Sequence, residues 1–70
     1  MKRIIKFSDE EMTYATIETE EEPEVIEKLL NEYREFAEHY SINGFLDWLK
    51  KEKKIKFKVI PTEEDYVIYF

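Results

Sequence analysis

The chain has 70 residues, of which 43% are apolar, 16% aromatic and 40% charged, with a formal net charge of −6. That length holds one domain, residues 1–70, and the apolar content excludes a disordered chain. The absence of cysteine excludes disulfide frameworks, thiolate nucleophiles and Cys-based zinc sites. The acid excess speaks against a general nucleic-acid binder, because phosphates reward clustered positive charge.

A domain this short buries only about 60% of its unfolded surface, so a surface shared with a partner is expected from the outset. Met1–Phe7 opens like a secretion signal, with Lys2 and Arg3, but lacks a sustained apolar run and a small-residue cleavage site. No stretch is long and apolar enough for a bilayer, so a cytoplasmic address and no membrane partner are expected. The single glycine, with plentiful Glu, Lys, Ile and Tyr, hints at a heat-adapted host.

In chain order, Arg3–Ser8 alternates apolar and polar residues and reads as a strand. Ser8–Glu11 is a polar turn, and Thr13–Thr19, rich in β-branched and aromatic residues, reads as a strand pairing back as a hairpin. Glu20–Glu22 then leads into Pro23, a helix start favoured by proline at the first position and by acids near the positive end of the dipole. Val25, Ile26, Leu29, Leu30, Tyr33, Phe36, Ala37 and Tyr40 recur at helical spacing, predicting a helix through Tyr40. Glu24, Lys28 and Glu32 follow at i,i+4 on its flank.

Ser41–Gly44 carries the only glycine and reads as a stop and restart. Ile42, Phe45, Leu46, Trp48 and Leu49 then form the apolar face of a short helix to about Lys53, whose last turn is lysine-rich. Lys54–Ile60 alternates strictly and predicts a strand with one buried and one wet face. Pro61–Asp65 turns the chain, and Tyr66–Phe70 returns as the second arm of a second hairpin.

The expected fold is α+β in two layers, in ββααββ order, with a largely antiparallel four-stranded sheet and both helices on one face. Its inner face would carry Ile5, Phe7, Ala15, Ile17, Ile55, Phe57, Val59, Ile68 and Phe70. How the two hairpins join is not specified by the alternation.

Charge is distributed in blocks. Lys2, Arg3 and Lys6 open the chain; residues 9–49 carry 13 acids against Lys28 and Arg34; residues 50–58 carry six lysines against Glu52; and Glu63, Glu64 and Asp65 follow. A homodimer could match the acidic helical side to the basic strand side across a two-fold axis.

Candidate chemistry is sparse. His39 would lie four residues after Glu35 on one helix face, but a carboxylate-bridged helical metal site uses Glu-x-x-His and needs a second such motif. An exposed histidine near a helix end is the plainer reading. The acid runs at 9–11, 20–22 and 63–65 lack the alternating ligands and central glycine of a calcium loop, and one glycine cannot build a phosphate loop. No catalytic, cofactor-binding or metal-binding residue is assigned, and neither an enzymatic role nor a small-molecule substrate is expected.

The wet sheet face is more distinctive. Ile4, Lys6, Tyr14, Lys54, Lys56, Lys58, Val67 and Tyr69 should project to one side and form a candidate interaction face of lysines, tyrosines and aliphatics. Lysines there also keep a sheet in solution and discourage edge-to-edge pairing. Trp48 and Tyr40 are further candidate anchors, although helical spacing places Trp48 in the core. The leading expectation is a non-catalytic interaction protein, an adaptor, inhibitor or regulatory subunit that binds a protein partner or itself as a homodimer. The alternatives are a nucleic-acid platform on the Lys/Tyr face, and an acidic mimic of nucleic acid in Glu18–Glu38 that fills a partner's basic groove.

Overall fold

A computed structural model describes residues 2–61 and 66–70. The expected order holds: β1 (Arg3–Ser8), β2 (Thr13–Thr19), α1 (Pro23–Phe36), α2 (Ile42–Lys51), β3 (Phe57–Val59) and β4 (Tyr66–Tyr69). The class is α+β, with a four-stranded mixed sheet ordered β3-β2-β1-β4.

β1 and β2 form the predicted antiparallel hairpin, with Ile5 opposite Ile17 and Phe7 opposite Ala15. Its turn is tied by the Asp9 carboxylate, which accepts from the backbone N–H groups of Glu11 and Met12 at 2.7 and 2.9 Å. Local side-chain bonds of this kind are why Asp favours turns. Ser8 then pairs with Thr13, so the register slips by one residue and Tyr14 is left bulged.

The second expected hairpin does not form. β3 pairs antiparallel with β2 on one edge, whereas β4 pairs parallel with β1 on the other. Ile5 and Phe7 are both 0% exposed, and two large residues on one strand are sealed from water this well when strands flank it on both sides. β4 supplies that second flank, adding Ile68 at 4% exposure. Val59, Ile17, Ile5 and Tyr66 lie in one row across the sheet. The chain therefore passes from edge to edge between Val59 and Tyr66, roughly 14 Å at ordinary strand spacing. The expected turn is Pro61–Asp65, of which residues 62–65, with the acid run, lie outside the described residues.

α1 buries Ile26, Leu30 and Tyr33, a narrower stripe than predicted; Val25 and Phe36 are exposed. It ends at Phe36 rather than Tyr40, with the Ala37 N–H bonded to the Tyr33 carbonyl. Ser41 caps α2 by accepting from the Gly44 N–H at 3.1 Å, so Ser41–Gly44 is a helix start in which the glycine is already helical. α2 buries Phe45, Leu46 and Leu49, and Trp48 packs half-buried against Tyr33, Phe36 and Phe45. It stops at Lys51, where Ile55 N–H bonds back to the Leu49 carbonyl and Lys54 takes a left-handed backbone at φ 57°. That conformation breaks the alternation, so the predicted strand Lys54–Ile60 shortens to Phe57–Val59. Within it, Val59 is 57% exposed despite its inward parity, because β3 is a three-residue edge strand.

Gly44 sits under a locked ring. A Cβ there would collide with the Tyr33 hydroxyl and lie 3.0 Å from the Ser41 hydroxyl, and Tyr33 is held between Phe36, Tyr40, Phe45 and Trp48. Gly44→Ala should therefore lose roughly 1–3 kcal/mol to overpacking, outweighing the about 1 kcal/mol that alanine gains in a helix. Urea unfolding will read a net loss; a gain in stability would contradict this packing.

Candidate functional site

Of the residues expected on one face, the sheet brings together only part. Ile4 and Lys6 alternate with buried Ile5 and Phe7 and so face away from the core, with Lys6 beside Val67 and Ser8 beside Tyr69 in register. Lys58 shares that side, but the row across it runs Lys58, Glu18, Ile4, which sets an acid among the lysines. Glu18 also pairs with Lys2 at 3.5 Å. Lys54 and Lys56 precede β3; Lys54 takes a left-handed backbone, whereas Lys56 lines one hollow with Lys58, Lys2 and Glu18. Thr16, on the same side opposite Lys6, is only 8% exposed. A continuous lysine platform is not what these residues make.

The bulge turns Tyr14 toward the end of β4, where it lines one cleft with Tyr69 but away from the lysines. Its ring packs on Phe70 at 4.9 Å, and Phe70 meets Phe7 and Phe45 on the helical side of the sheet. There Asp9, Tyr14, Tyr40, Ser41 and Phe70 line a cleft of about 330 Å³. Its polar groups are already engaged with one another. Tyr14 donates to the Asp9 carboxylate. Tyr40 stacks on Phe70 at 4.6 Å, donates to the Phe70 backbone oxygen at 2.8 Å and accepts from Arg34 Nε at 3.0 Å. Arg34 also donates to the Tyr69 and Phe70 carbonyls at 3.0 and 2.8 Å. This cluster is a clamp that fastens β4 to α1 and to the hairpin through bonds among its own groups.

His39 lies beyond the end of α1, so Glu35 and His39 do not share a helix face. Among the described residues, no three or more His, Asp or Glu side chains converge as a metal site, and no helix is long and apolar enough to cross a membrane. The charge blocks meet inside the fold: Arg3 reaches Glu22 at 2.8 Å, and Lys53 reaches Glu32 at 3.1 Å while its ammonium sits 5.2 Å from the Trp48 ring centre.

The two sheet edges differ sharply. β3 is flanked by Lys56, carries Lys58 and is followed by Pro61, the usual guards against edge pairing. β4 is Tyr-Val-Ile-Tyr, with no charge and no proline, and Tyr66, Val67 and Tyr69 are 44, 57 and 63% exposed. Tyr66 was not among the expected interaction residues; the uncharged run from Tyr66 to Phe70, directly after the acids Glu63, Glu64 and Asp65, is the sequence signal that marks it. No protein-family model, curated protein or solved structure matches this chain.

The Tyr14 bond holds the Asp9 carboxyl below its ordinary value of 3.8, helped by the Met12 and Glu11 N–H groups, and the same bond raises the Tyr14 hydroxyl above 10.0. A lowered acid stabilises the fold above its ordinary value and loses that contribution as pH falls through the lowered one. Tyr14→Phe should return the Asp9 titration toward 3.8, as read by carboxyl NMR; an unchanged titration would show that the turn N–H groups alone set it.

Proposed function

We propose that this chain is a non-catalytic interaction protein that acts as a homodimer, and that the β4 edge is its contact surface. One observation carries the reading: the sheet has one guarded edge and one unguarded edge, and the unguarded edge holds Tyr66, Val67 and Tyr69 in water. An exposed, uncharged edge strand is a template for another strand, and natural proteins blunt such edges unless pairing is their use. Tyrosines flanking a valine supply the amphipathic area that interfaces favour. A small domain also gains most from shared surface, because its own core is limited.

Against a nucleic-acid platform stand Glu18 within the lysine face and the displacement of Tyr14 toward Phe70. Stacking needs exposed rings between cations, and the exposed Tyr69 lies in register with Ser8 rather than with a lysine.

Sedimentation across a concentration series should resolve a monomer–dimer equilibrium. Val67→Lys, at an exposed position, should leave the circular dichroism unchanged and raise the dimer dissociation constant about tenfold or more, since a charge on the edge opposes pairing. Val25→Lys on exposed α1 should not move it. A wild-type chain that sediments as a monomer throughout the series overturns the reading.

A further inference from the structure

We infer that the hollow between the end of α2 and the start of β3 docks a short acidic segment of a partner protein, whose bulky apolar side chain enters over Ile55 and Phe57 while its carboxylates meet Lys50, Lys54 and Lys56. This surface lies on the β3 side of the sheet, at the opposite edge from β4, so the inference goes beyond the dimer reading and stands apart from it.

The hollow is built by the chain reversal after α2. Lys54 takes a left-handed backbone at φ 57°, the Ile55 N–H returns to the Leu49 carbonyl at 3.0 Å, and the buried Thr19 hydroxyl donates to the Lys56 carbonyl at 2.9 Å. These bonds hold Ile55 and Phe57 half-buried as an apolar floor, and the exposed Lys50, Lys54 and Lys56 form its rim. The space is about 350 Å³, small for an enclosed ligand site and ample for one large side chain. Left-handed backbone is where glycine sits with least strain, so a lysine kept there is a strained rim residue of the kind that gathers at binding sites.

Charge selects the ligand. The net charge of the chain is −6, and several of its cations find acids: Lys2 pairs with Glu18, Arg3 with Glu22, Lys51 with Asp47 and Lys53 with Glu32. Among the described residues Lys50, Lys54 and Lys56 form no ion pair, yet they converge on one hollow. Like charges held together in this way favour a ligand of opposite sign. The floor narrows the choice further, because a bare phosphate or sulfate would leave Ile55 and Phe57 unfilled. A nucleic-acid strand or an anionic membrane would continue past Lys56 into the next hollow, where Glu18 and Glu20 repel it, and half-buried Phe57 offers no exposed ring for stacking. A short acidic segment matches both parts, with an apolar anchor at the centre and charges at the rim.

The full chain is titrated with an acetylated, amidated hexapeptide of two leucines flanked on each side by two glutamates, and binding is read by NMR at Ile55 and Phe57. Saturable shifts are expected there. The Lys50→Gln/Lys56→Gln double variant, altered only at exposed side chains, should keep its circular dichroism and bind about fivefold or more weakly. Lys51→Gln, whose lysine already pairs with Asp47, should change the affinity less than about twofold. Serine in place of both leucines should weaken the peptide about tenfold or more. The inference is overturned by the absence of saturable shifts at Ile55 and Phe57, by unchanged affinity in the double variant, or by an equal loss in Lys51→Gln. Equal binding of the serine peptide, or of a thymidine oligonucleotide of the same charge, overturns it as well. None of these results touches the homodimer reading, which sedimentation tests separately.

Discussion

Ile5 and Phe7 are fully sealed from water, and they sit on the strand that opens the chain. The burial of each contributes about 1.5–3 kcal/mol, but only if β1 has a strand on both sides and helices above it. β2 supplies one side through a local hairpin. The other side must come from a distant segment, and β4 supplies it, adding Ile68 to the core and Phe70 against Phe7 and Phe45. The central place of β1 therefore explains why β4 abandons β3 and crosses the sheet.

That crossing has to be held against loop entropy, and an aromatic clamp does so. Phe70 is gripped by Tyr14 and Tyr40, while Arg34 and Tyr40 bind the backbone oxygens of the last residues of the chain. Each such bond contributes about 1 kcal/mol net, more where the donor is charged. The cost is visible in α1, which ends early so that Tyr40 can leave the helix and reach Phe70. The opposite charge blocks of the sequence meet in the Arg3–Glu22 and Lys53–Glu32 pairs; exposed pairs of this type contribute little individually, so part of the charge segregation is spent within the monomer.

With β4 as the far edge, the sheet ends on a strand that itself carries no charge and no proline. Lysines and proline accompany β3, where a second strand is unwelcome, and none accompanies β4. The same Arg34 that anchors the strand also holds the Tyr69 carbonyl on that edge. The aromatic cleft beside it is best understood as the inside of the clamp.

Much of the architecture was legible in the residues. Alternation placed β1, β2 and β4, helical spacing with Pro23 placed α1, and the inward parity of Ile5, Phe7, Ile17 and Ile68 was correct because a one-residue shift would expose all of them. The candidate face was legible only in part: Ile4, Lys6, Val67 and Tyr69 were placed by parity, while a bulge re-aimed Tyr14 and a left-handed backbone set Lys54 apart, neither of which alters a hydrophobic pattern. Side-chain period and capping chemistry act between near neighbours, so the sequence by itself determined the elements and their faces. Which strand pairs with which depends on contacts between distant segments, so the tertiary structure alone decided that β4 lies beside β1 and that its edge, with Val67 at its middle, faces water.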